Sequence, residues 1–436
     1  MGALTVGRIA LFGINYWPEQ TGIAPYTTGL AEHLAERGWQ TTVCAGMPHY
    51  PQWHVADGYA RRLRQRETIN GVEVLRFRHH VPEQPSAVGR ALYEATFLAH
   101  ALSARRMPRP DVVLGIIPSF SGGALAALAA QRYQVPFGII FQDLMGQAAV
   151  QSGIAGGARV AGATRSLEAS VARRASLVGV IAEGFRPYLE EIGVEPGRIR
   201  RVRNWTHIAR PSRSPTDVRA RFGLPLDAWI CLHAGNMGLK QGLENVIACA
   251  RLALTSDPGT LFVLMGDGNQ RAHLQQMADG LPNVRFLPPQ PAEEFPDLLA
   301  AADILLVNQR PTVKDMSLPG KLTSYFAAGR PVVAAVAEAS ETAAELRTAQ
   351  AGVVVPAGAP DQLLAAIRDL ASDQGRANHL GRQGQAYADD QLTAGAILAR
   401  LEQFVLEVAG PRFAQPPLAW PAAVQEHGPK FARRVG

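Results

Sequence analysis

Short apolar segments alternate with amphipathic segments along most of the chain. The apolar segments are rich in Val, Ile and Leu and lack a polar face, which is typical of strands buried on both sides of a parallel sheet. In the first half the predicted strands are residues 8–14, 41–45, 72–77, 111–116, 137–141, 177–181 and 198–202. In the second half they are residues 229–233, 261–265, 284–287, 304–307, 332–336 and 353–355.

The segments between the strands repeat apolar residues every three or four positions, and this period predicts helices. The predicted helices are residues 26–37, 87–104, 163–174, 183–192, 243–254, 321–328, 360–372 and 394–408. Residues 56–68 hold four arginines among few apolar residues, which predicts a solvated loop.

Two consecutive blocks of alternating strands and helices predict an α/β fold with two doubly wound, Rossmann-like parallel sheets. A single core is improbable for 436 residues, and the Pro-Ser-Arg-Ser-Pro run at 211–215 is typical of a linker. We expect domains at 1–205 and 206–392, a helix at 393–409 that returns toward the first domain, and an irregular tail at 410–436. Ligands of such sheets bind at the carboxyl edges, so two edges facing across a cleft predict a two-substrate enzyme.

The charge of the chain is unevenly distributed. The net charge is +6, and residues 1–205 contribute +7, with no lysine, while residues 206–436 contribute −1. The basic half indicates attraction to an anionic membrane surface or a lipid diphosphate, or else a solvated face in an arginine-rich proteome. Nucleic acid is not expected as a partner, because no basic helix or aromatic-basic interleaving occurs.

The ends of the chain and its cysteines indicate a cytoplasmic location. No signal peptide is expected, because residues 8–12 form the first strand rather than the apolar core of a leader. The most apolar window, 112–130, is interrupted by Pro118 and indicates a strand running into a helix rather than a membrane span. The three cysteines show neither disulfide nor metal spacing and are typical of buried thiols in a reducing compartment.

Three glycine-bearing loops follow predicted strands of the second half, at 235–242, 266–268 and 319–321. Glycine lets a phosphate approach the backbone, and a helix that starts at such a loop offers free N–H groups to an anion. The chain has only four lysines against 39 arginines, and Lys240 and Lys321 lie in these loops. A compact ammonium suits a diphosphate, although surface lysines also occur in ordinary loops.

The first half offers weaker signals of the same kind. Gly22 precedes the first predicted helix, and Asp143 follows the predicted strand at 137–141, where it could orient an acceptor hydroxyl or cap a helix. No P-loop pattern occurs, and no G-x-G-x-x-G follows the first strand, which argues against a nicotinamide enzyme. Histidines are scattered and no cluster has metal spacing, so we expect neither a metal nor a cofactor.

Several motifs resemble those of family-4-type glycosyltransferases of the GT-B architecture, over about residues 7–409. Within that family the chain looks most like enzymes of extracellular polysaccharide biosynthesis, of the colanic-acid type. The motifs are N-Y-W-P-E-Q-T-G-I-A at 15–24, P-H-Y-P at 48–51, E-G-F at 183–185, N-W at 204–205, A-G-N-M-G-L-K-Q-G-L-E at 234–244, G-D-G at 266–268, N-V-R-F-L at 283–287, A-A-D at 301–303 and L-P-G-K-L-T-S-Y-F-A-A-G-R-P-V-V at 318–333.

The resemblance implies transfer of a sugar, with retention of configuration, from a nucleotide diphosphosugar, a UDP-sugar being favoured. No metal is required, and the acceptor is a lipid-linked saccharide or a small molecule. The residues implied in catalysis are Lys240, Lys321 and Asp143. Those implied in donor binding are Gly22, Gly235, Asn236, Gly266, Asp267, Gly268, Leu287, Pro288, Leu322 and Ser324. Those implied on the acceptor side are Glu19, Thr21, Tyr26, His49 and Tyr50.

The chain departs from the family pattern at three places. Many relatives carry a pair of glutamates where Met316 and Ser324 stand here, and the second glutamate binds the donor ribose. After Asp143 relatives usually have an aromatic residue, proline and an acid, in place of Met145-Gly146-Gln147, and an acid is more usual than His207. Two alternatives therefore remain, a nucleotide-sugar epimerase of the same architecture and a non-catalytic protein that binds a nucleotide-sugar or a membrane surface.

Overall fold

A computed structural model of the chain describes residues 6–20, 22–60, 62–82, 86–102, 107–145, 157–206, 208–313 and 320–413. The chain forms two compact units. The first comprises Met1–Asn204 together with Ala394–Gly436, and the second comprises Trp205–Thr393. Each unit is built on its own sheet.

The first unit contains an eight-stranded sheet in the order β3-β4-β2-β1-β5-β6-β7-β8. All neighbouring strands are parallel except β3 and β4, which pair antiparallel. The strands are β1 Arg8–Phe12, β2 Gln40–Gly46, β3 Arg64–Ile69, β4 Val72–Phe77, β5 Val112–Ile117, β6 Phe137–Phe141, β7 Leu177–Val180 and β8 Ile199–Arg201. The helices are α1 Ala24–Glu36, α2 Ala87–Leu102, α3 Phe120–Tyr133, α4 Gly157–Ala172, α5 Arg186–Glu191 and, from the end of the chain, α14 Ala394–Ala409.

Strand β3 corrects the prediction of a solvated loop over residues 56–68. Residues 64–69 instead form the edge of the sheet, and Asn70 and Gly71 close a hairpin with φ of 48° and 82°. An Asn-Gly pair between two short strands is a strong hairpin signal, because both residues tolerate positive φ. The arginines concealed the strand, since a charged edge strand lacks the apolar run expected of a buried one.

Helix α14 covers the first sheet, although it comes from the end of the sequence. Glycines on the sheet leave room for it, because a Cβ on Gly138 would lie 2.8 Å from Val408 Cγ2. Glu402 binds His33 of α1 at 3.0 Å, and Arg37 binds the same carboxylate at 3.1 Å. These contacts fix the last helix within the first unit.

The second unit contains a six-stranded parallel sheet in the order β11-β10-β9-β12-β13-β14. Its strands are β9 Trp229–Ala234, β10 Thr260–Met265, β11 Val284–Leu287, β12 Ile304–Asn308, β13 Val332–Ala335 and β14 Gly352–Val355. Its helices are α6 Pro215–Arg221, α7 Glu244–Ser256, α8 Arg271–Met277, α9 Phe295–Ala301, α10 Lys321–Ala327, α11 Glu341–Thr348, α12 Pro360–Ser372 and α13 Gln374–Gln391.

Both sheets are buried on both faces, which is why their strands read as unbroken apolar runs. In β9, Ile230 and Leu232 pack into one core of the second unit, while Cys231 packs into the core on the opposite face. The strand order of this sheet reverses between β9 and β12, and ligands of doubly wound sheets bind at such a switch point. The prediction of two doubly wound parallel sheets is confirmed. Among the described helices, none has the length and apolar character needed to cross a bilayer.

Candidate functional site

The loops that follow β9 and β10 pack backbone against backbone. Gly235, Gly266 and Gly268 have φ of 124°, 136° and 153°. A Cβ on Gly266 would lie 1.9 Å from the Gly235 carbonyl oxygen, and a Cβ on Gly268 would lie 2.6 Å from Asn236 Oδ1 and from Met237 O. No side chain fits at these distances, so the close approach of the two loops requires glycine.

The loop over residues 235–242 is anchored from β12. Asn308 is 2% exposed, and its Nδ2 donates to Gln241 O and Gly242 O, at 2.7 Å each. Its Oδ1 accepts a hydrogen bond from Asn245 Nδ2 at 2.8 Å. Both ends of the Asn308 side-chain amide are therefore hydrogen-bonded, which anchors the loop that carries Lys240.

Lys240 lies on a single 3₁₀ turn, Leu239–Gln241, at the surface of the second unit. Its backbone oxygen accepts a hydrogen bond from Arg310 N at 2.9 Å, and the Arg310 guanidinium binds Glu244 at 2.7 Å. The structure therefore fixes the backbone of Lys240 and leaves its side chain exposed. Within the described residues no ion pair joins its ammonium to a carboxylate.

Lys321 is the first residue of α10, and its side chain runs to the end of β9. Its Nζ lies 3.5 Å from His233 Nε2, and a Cβ placed on Gly235 would be 3.7 Å from the same Nζ. Burial lowers the pKa of Lys321 to about 7. The absence of a side chain at Gly235 thus leaves the partly buried amine of Lys321 beside open backbone.

Tyr325 lies one turn after Lys321 and fastens α10 to the sheet. Its hydroxyl accepts a hydrogen bond from Ala234 N at 2.8 Å and faces the carbonyl oxygens of Ala234 and Leu306, at 3.3 Å each. Tyr325 is fully buried. The hydroxyl ties together the carboxyl ends of two strands and so sets the position from which Lys321 reaches the edge.

The remaining donor-side residues of the sequence analysis are distributed around this edge. Leu287 ends β11, and its carbonyl oxygen accepts hydrogen bonds from Gly266 N at 3.1 Å and from Arg271 at 3.2 Å. Pro288 follows it, and Asp267 lies between the two glycines of the β10 loop. Leu322 packs into the apolar core, and Ser324 is 4% exposed on the same helix. Sequence reasoning missed Arg271, whose guanidinium joins the β10 and β11 loops.

In the first unit, Glu19 joins the loops after β1 and β2. The residue is 4% exposed, and its Oε1 accepts hydrogen bonds from His49 N and Tyr50 N, at 2.9 Å each. Its Oε2 accepts a hydrogen bond from Asn15 Nδ2 at 2.8 Å, and His49 Nδ1 lies 3.2 Å from Oε1. A buried carboxylate that accepts this many hydrogen bonds is rigidly held.

His49 extends this network into the interior. Its Nε2 lies 3.2 Å from the Tyr93 hydroxyl, and its ring centroid is 4.7 Å from that of His79. Burial lowers the pKa of His49 and lowers that of His79 to about 3. Both imidazoles are therefore neutral at physiological pH. Sequence reasoning did not identify Tyr93 as part of this network, because its partner His49 lies 44 residues away in the chain.

Asp143 follows β6 and is partly exposed. Burial raises the pKa of Tyr50, and the carboxylates of Glu19 and Asp143 raise it further, so Asp143 lies within electrostatic range of Tyr50. Gly22 has φ of 68°, and a Cβ there would lie 3.2 Å from the Tyr50 ring. Tyr26 is buried within α1. Outside the described residues lie Thr21, Arg61, Gly146, Gln147, His207, Lys314, Met316 and Pro319.

Arg76 is a buried cation that sequence reasoning also missed. It is fully buried in β4 and donates hydrogen bonds to the Glu67 carboxylate and to the Trp17 carbonyl oxygen. Its guanidinium carbon lies 5.2 Å from the centroid of the Tyr59 ring. Arg76 thereby supports the loop that carries Glu19. The described residues contain no cluster of three or more His, Cys, Asp or Glu able to hold a metal ion.

Comparisons with known proteins agree on a single family. Residues 21–205 match the family model of a glycosyl transferase 4-like domain, and residues 229–373 match that of the glycosyl transferases group 1. WcaI of Escherichia coli (strain K12), named for colanic acid biosynthesis, is 34% identical over 334 residues, which cover 74% of this chain and 81% of WcaI.

Two solved structures share the fold at lower identity. Sucrose-phosphate synthase from Thermosynechococcus elongatus superposes with a TM-score of 0.68 at 19% identity, covering 91% of this chain and 98% of the synthase. Anabaena HepE in complex with UDP-glucose superposes with a TM-score of 0.65 at 19% identity, covering 91% and 99%. The resemblance drawn from the motifs is therefore confirmed at the level of family and GT-B fold.

Proposed function

The chain belongs to the glycosyl transferases, with a 4-like first half and a group 1 second half, and we propose that it transfers a sugar from a nucleotide diphosphosugar to a lipid-linked saccharide or a small-molecule acceptor. A UDP-sugar is the favoured donor, and the anomeric configuration is retained. The observation that carries the proposal is the partly buried amine of Lys321 beside the open backbone of Gly235.

Lys321 has the properties expected of a residue that binds an anion. A buried ammonium is costly unless it is paired, and no carboxylate among the described residues forms an ion pair with Lys321. Gly235 and Asn236 leave the adjacent backbone accessible, and Asn236 is exposed. A diphosphate would supply the missing negative charge. HepE has been solved with UDP-glucose, which supports a uridine nucleotide as donor.

In this proposal the lysines act electrostatically. As the bond between the sugar and the diphosphate breaks, negative charge grows on the leaving diphosphate, and a fixed cation stabilises that charge. Lys321 supplies a cation held by buried contacts, and Lys240 supplies a second one from an anchored loop. No covalent intermediate with the protein and no metal is required.

The acceptor is assigned to the first unit. Glu19 rigidly joins the loops that carry His49 and Tyr50, and Asp143 lies within electrostatic range of Tyr50. A partly exposed carboxylate can orient a sugar hydroxyl by accepting its hydrogen bond. We therefore place Asp143 at the acceptor hydroxyl, with Glu19, Thr21, Tyr26, His49 and Tyr50 as the surrounding acceptor side.

The proposal is tested by turnover with a panel of UDP-, GDP- and TDP-sugars, with release of the nucleoside diphosphate as the readout. We expect one UDP-sugar to be consumed. The Lys321→Met and Lys240→Ala variants should turn it over at least about tenfold more slowly than the wild type. Arg376→Ala, at an exposed position of the same unit, is the matched control and keeps wild-type turnover. Binding of UDP without turnover of any donor would instead identify a nucleotide-sugar-binding protein, the alternative that Ser324 favours.

We further propose that the first unit associates with an anionic membrane surface at the cytoplasmic face. Helix α2 turns an apolar stripe to solvent, in which Val88, Leu92 and Leu102 are 71%, 46% and 53% exposed. Leu63 is 64% exposed on the neighbouring hairpin, next to the exposed Arg62. An amphipathic stripe beside basic residues is typical of a helix that lies in the membrane interface.

Co-sedimentation with vesicles tests this association. Binding to vesicles that contain phosphatidylglycerol should weaken with salt and should fall strongly in Leu92→Glu. Leu226→Glu is the matched control, because Leu226 is 59% exposed in the second unit and lies outside the stripe. Absence of binding, or binding that neither salt nor Leu92→Glu reduces, would refute the membrane proposal.

A further inference from the structure

His233 occupies an unusual position for a polar residue. It lies one residue before the end of β9, in an otherwise apolar strand, and is completely buried. Burying an imidazole costs free energy unless the ring forms hydrogen bonds. Its Nε2 lies 3.5 Å from Lys321 Nζ, although the two residues are 88 positions apart in the chain. The fold therefore brings a second base against the amine of the proposed donor site.

The chemistry of the pair limits its charge. An ammonium has three donors and no acceptor, so a charged Lys321 can bond to His233 only if Nε2 is unprotonated. A second positive charge at 3.5 Å in a buried place would repel the first strongly. Burial lowers the pKa of His233 well below its ordinary value, and Lys321 lowers it further. His233 is therefore the neutral acceptor, and Lys321 is the group that takes or loses a proton.

Among the described residues, no group beside Lys321 is shown to carry a negative charge. The Tyr325 hydroxyl, one turn further along the helix, is engaged with Ala234 and Leu306, and the Gly235 position lies next to Lys321 Nζ. Burial is the cause of the lowered Lys321 pKa, which is about 7, and within the described residues no acidic side chain offsets it. Burial therefore favours the neutral form of the Lys321 amine when no anion is bound.

We propose that His233 is a positioning residue for the donor diphosphate. Its Nε2 accepts a hydrogen bond from Lys321 and holds Nζ beside Gly235, so that the nucleotide diphosphate binds with net uptake of protons from solvent. The inference rests on the proposed function, because it concerns the same site. The proton balance is simple: neutral Lys321 gains a proton from water as the diphosphate arrives and becomes the ammonium that pairs with it.

The direction of the pH dependence follows from this balance. A bound diphosphate raises the pKa of Lys321 above about 7, the value to which burial lowers it. Binding is therefore strongest below that value and weakens as the pH rises above it. If the bound amine is fully protonated, the uptake is about 0.5 proton at pH 7 and about 0.9 proton at pH 8.

Calorimetric titration with UDP at pH 8, in two buffers with different ionisation enthalpies, measures this uptake directly. At that pH a terminal phosphate with a pKa of about 6 is already ionised, so it adds no proton of its own. The variants are Lys321→Arg, which cannot lose its proton, His233→Leu, which removes the acceptor, and His233→Gln, which replaces it. His379→Gln, on the exposed side of α13, is the matched control.

We expect the wild type and His379→Gln to take up about 0.9 proton and Lys321→Arg to take up none. His233→Leu should raise the Kd for UDP about tenfold and move the pH midpoint downward, and His233→Gln should restore the Kd to within about threefold. A simple loss of packing in His233→Leu would leave the pH midpoint unchanged. If His233→Leu does not fold, the comparison of His233→Gln with the wild type and Lys321→Arg decides the matter.

Three results would overturn the inference alone: UDP binding with no proton uptake in the wild type, uptake that persists in Lys321→Arg, or wild-type affinity with an unchanged pH profile in His233→Leu. A wild-type protein that neither binds UDP, GDP or TDP nor consumes a sugar donor would overturn the proposed function and this inference with it. The two failures are therefore distinguishable.

Discussion

Replacing Gly266 with alanine would place a methyl group inside the backbone of the neighbouring loop. The new Cβ would lie 1.9 Å from the Gly235 carbonyl oxygen and 2.8 Å from its carbonyl carbon, so the backbone itself must move. In addition, Gly266 has φ of 136°, a conformation that L-residues rarely adopt. The substitution therefore combines backbone strain with a clash that no rotamer can relieve.

The cost can be estimated from these two contributions. A strained backbone conformation costs about 1–2 kcal/mol. Moving the loops apart also endangers the hydrogen bonds from Gly266 N to Leu287 O at 3.1 Å and from Gly235 N to Met265 O at 2.9 Å. Each contributes about 1 kcal/mol. The sum is about 3 kcal/mol, which corresponds to a fall in Tm of about 6–12 °C for a unit of this size.

Two further glycines of the same unit separate strain from clash. Gly280 has φ of 74° and no atom within 4 Å of its potential Cβ, so Gly280→Ala should cost about 1 kcal/mol, or about 2–4 °C. Gly259 lies outside the positive-φ region and also faces open space, so Gly259→Ala should leave the Tm within about 1 °C.

Differential scanning calorimetry with and without UDP identifies the transition of the second unit, because a ligand raises the Tm of the unit that binds it. We expect Gly266→Ala to melt well below Gly280→Ala and to bind UDP at least about tenfold more weakly. If Gly266→Ala has the same Tm as Gly280→Ala and binds UDP like the wild type, the close packing of the two loops does not shape the donor site.

Three other substitutions test separate parts of the structure. Asn308→Ala removes two hydrogen bonds to the loop that carries Lys240, so the Kd for UDP measured by calorimetry should rise about tenfold; an unchanged Kd would show that the anchor is dispensable. Glu19→Gln weakens the junction of the acceptor-side loops, so in a kinetic assay the acceptor KM should rise while the Kd for UDP stays constant. Although burial raises the pKa of Glu402, hydrogen bonds from His33 and Arg37 hold it below its usual range. Its contribution to stability is therefore present at neutral pH and lost in acid; Glu402→Gln should cost about 1 kcal/mol at pH 7 and progressively less as the pH falls through the lowered pKa of the folded state, and a pH-independent difference in denaturant unfolding would contradict this.

The fold could be predicted from sequence where burial imposes a clear period. The buried strands of both sheets appear as Val- and Ile-rich runs because helices cover both faces. Helix α13 gave no such pattern, because its sequence is polar and contains Gly375, Gly381 and Gly384. A Cβ on Gly381 would lie 2.3 Å from Gly329 O, so the helix packs through glycine rather than through large apolar side chains. The sequence of such a helix lacks the apolar period of three or four residues and therefore does not predict a helix.

The candidate site could be predicted only where its residues are contiguous in the chain. The glycine loops at 235 and 266 were visible because each follows a predicted strand directly. The contact between His233 and Lys321 was not, because it depends on α10 reaching the end of β9 across 88 positions. The Arg76–Glu67 ion pair required the hairpin that the arginines concealed. Partners of buried polar groups follow from the strand order and the register, which periodicity does not contain.

The most direct test of the central claim is a crystal structure of the protein with UDP. We expect the diphosphate to lie at the carboxyl edge of the second sheet, with its oxygens within hydrogen-bond distance of Lys321 Nζ and of backbone N–H groups near Gly235. We also expect Lys321 to keep its contact with His233. UDP bound elsewhere, or bound at this edge with its diphosphate away from Lys321, would contradict the assignment of Lys321 to the donor diphosphate.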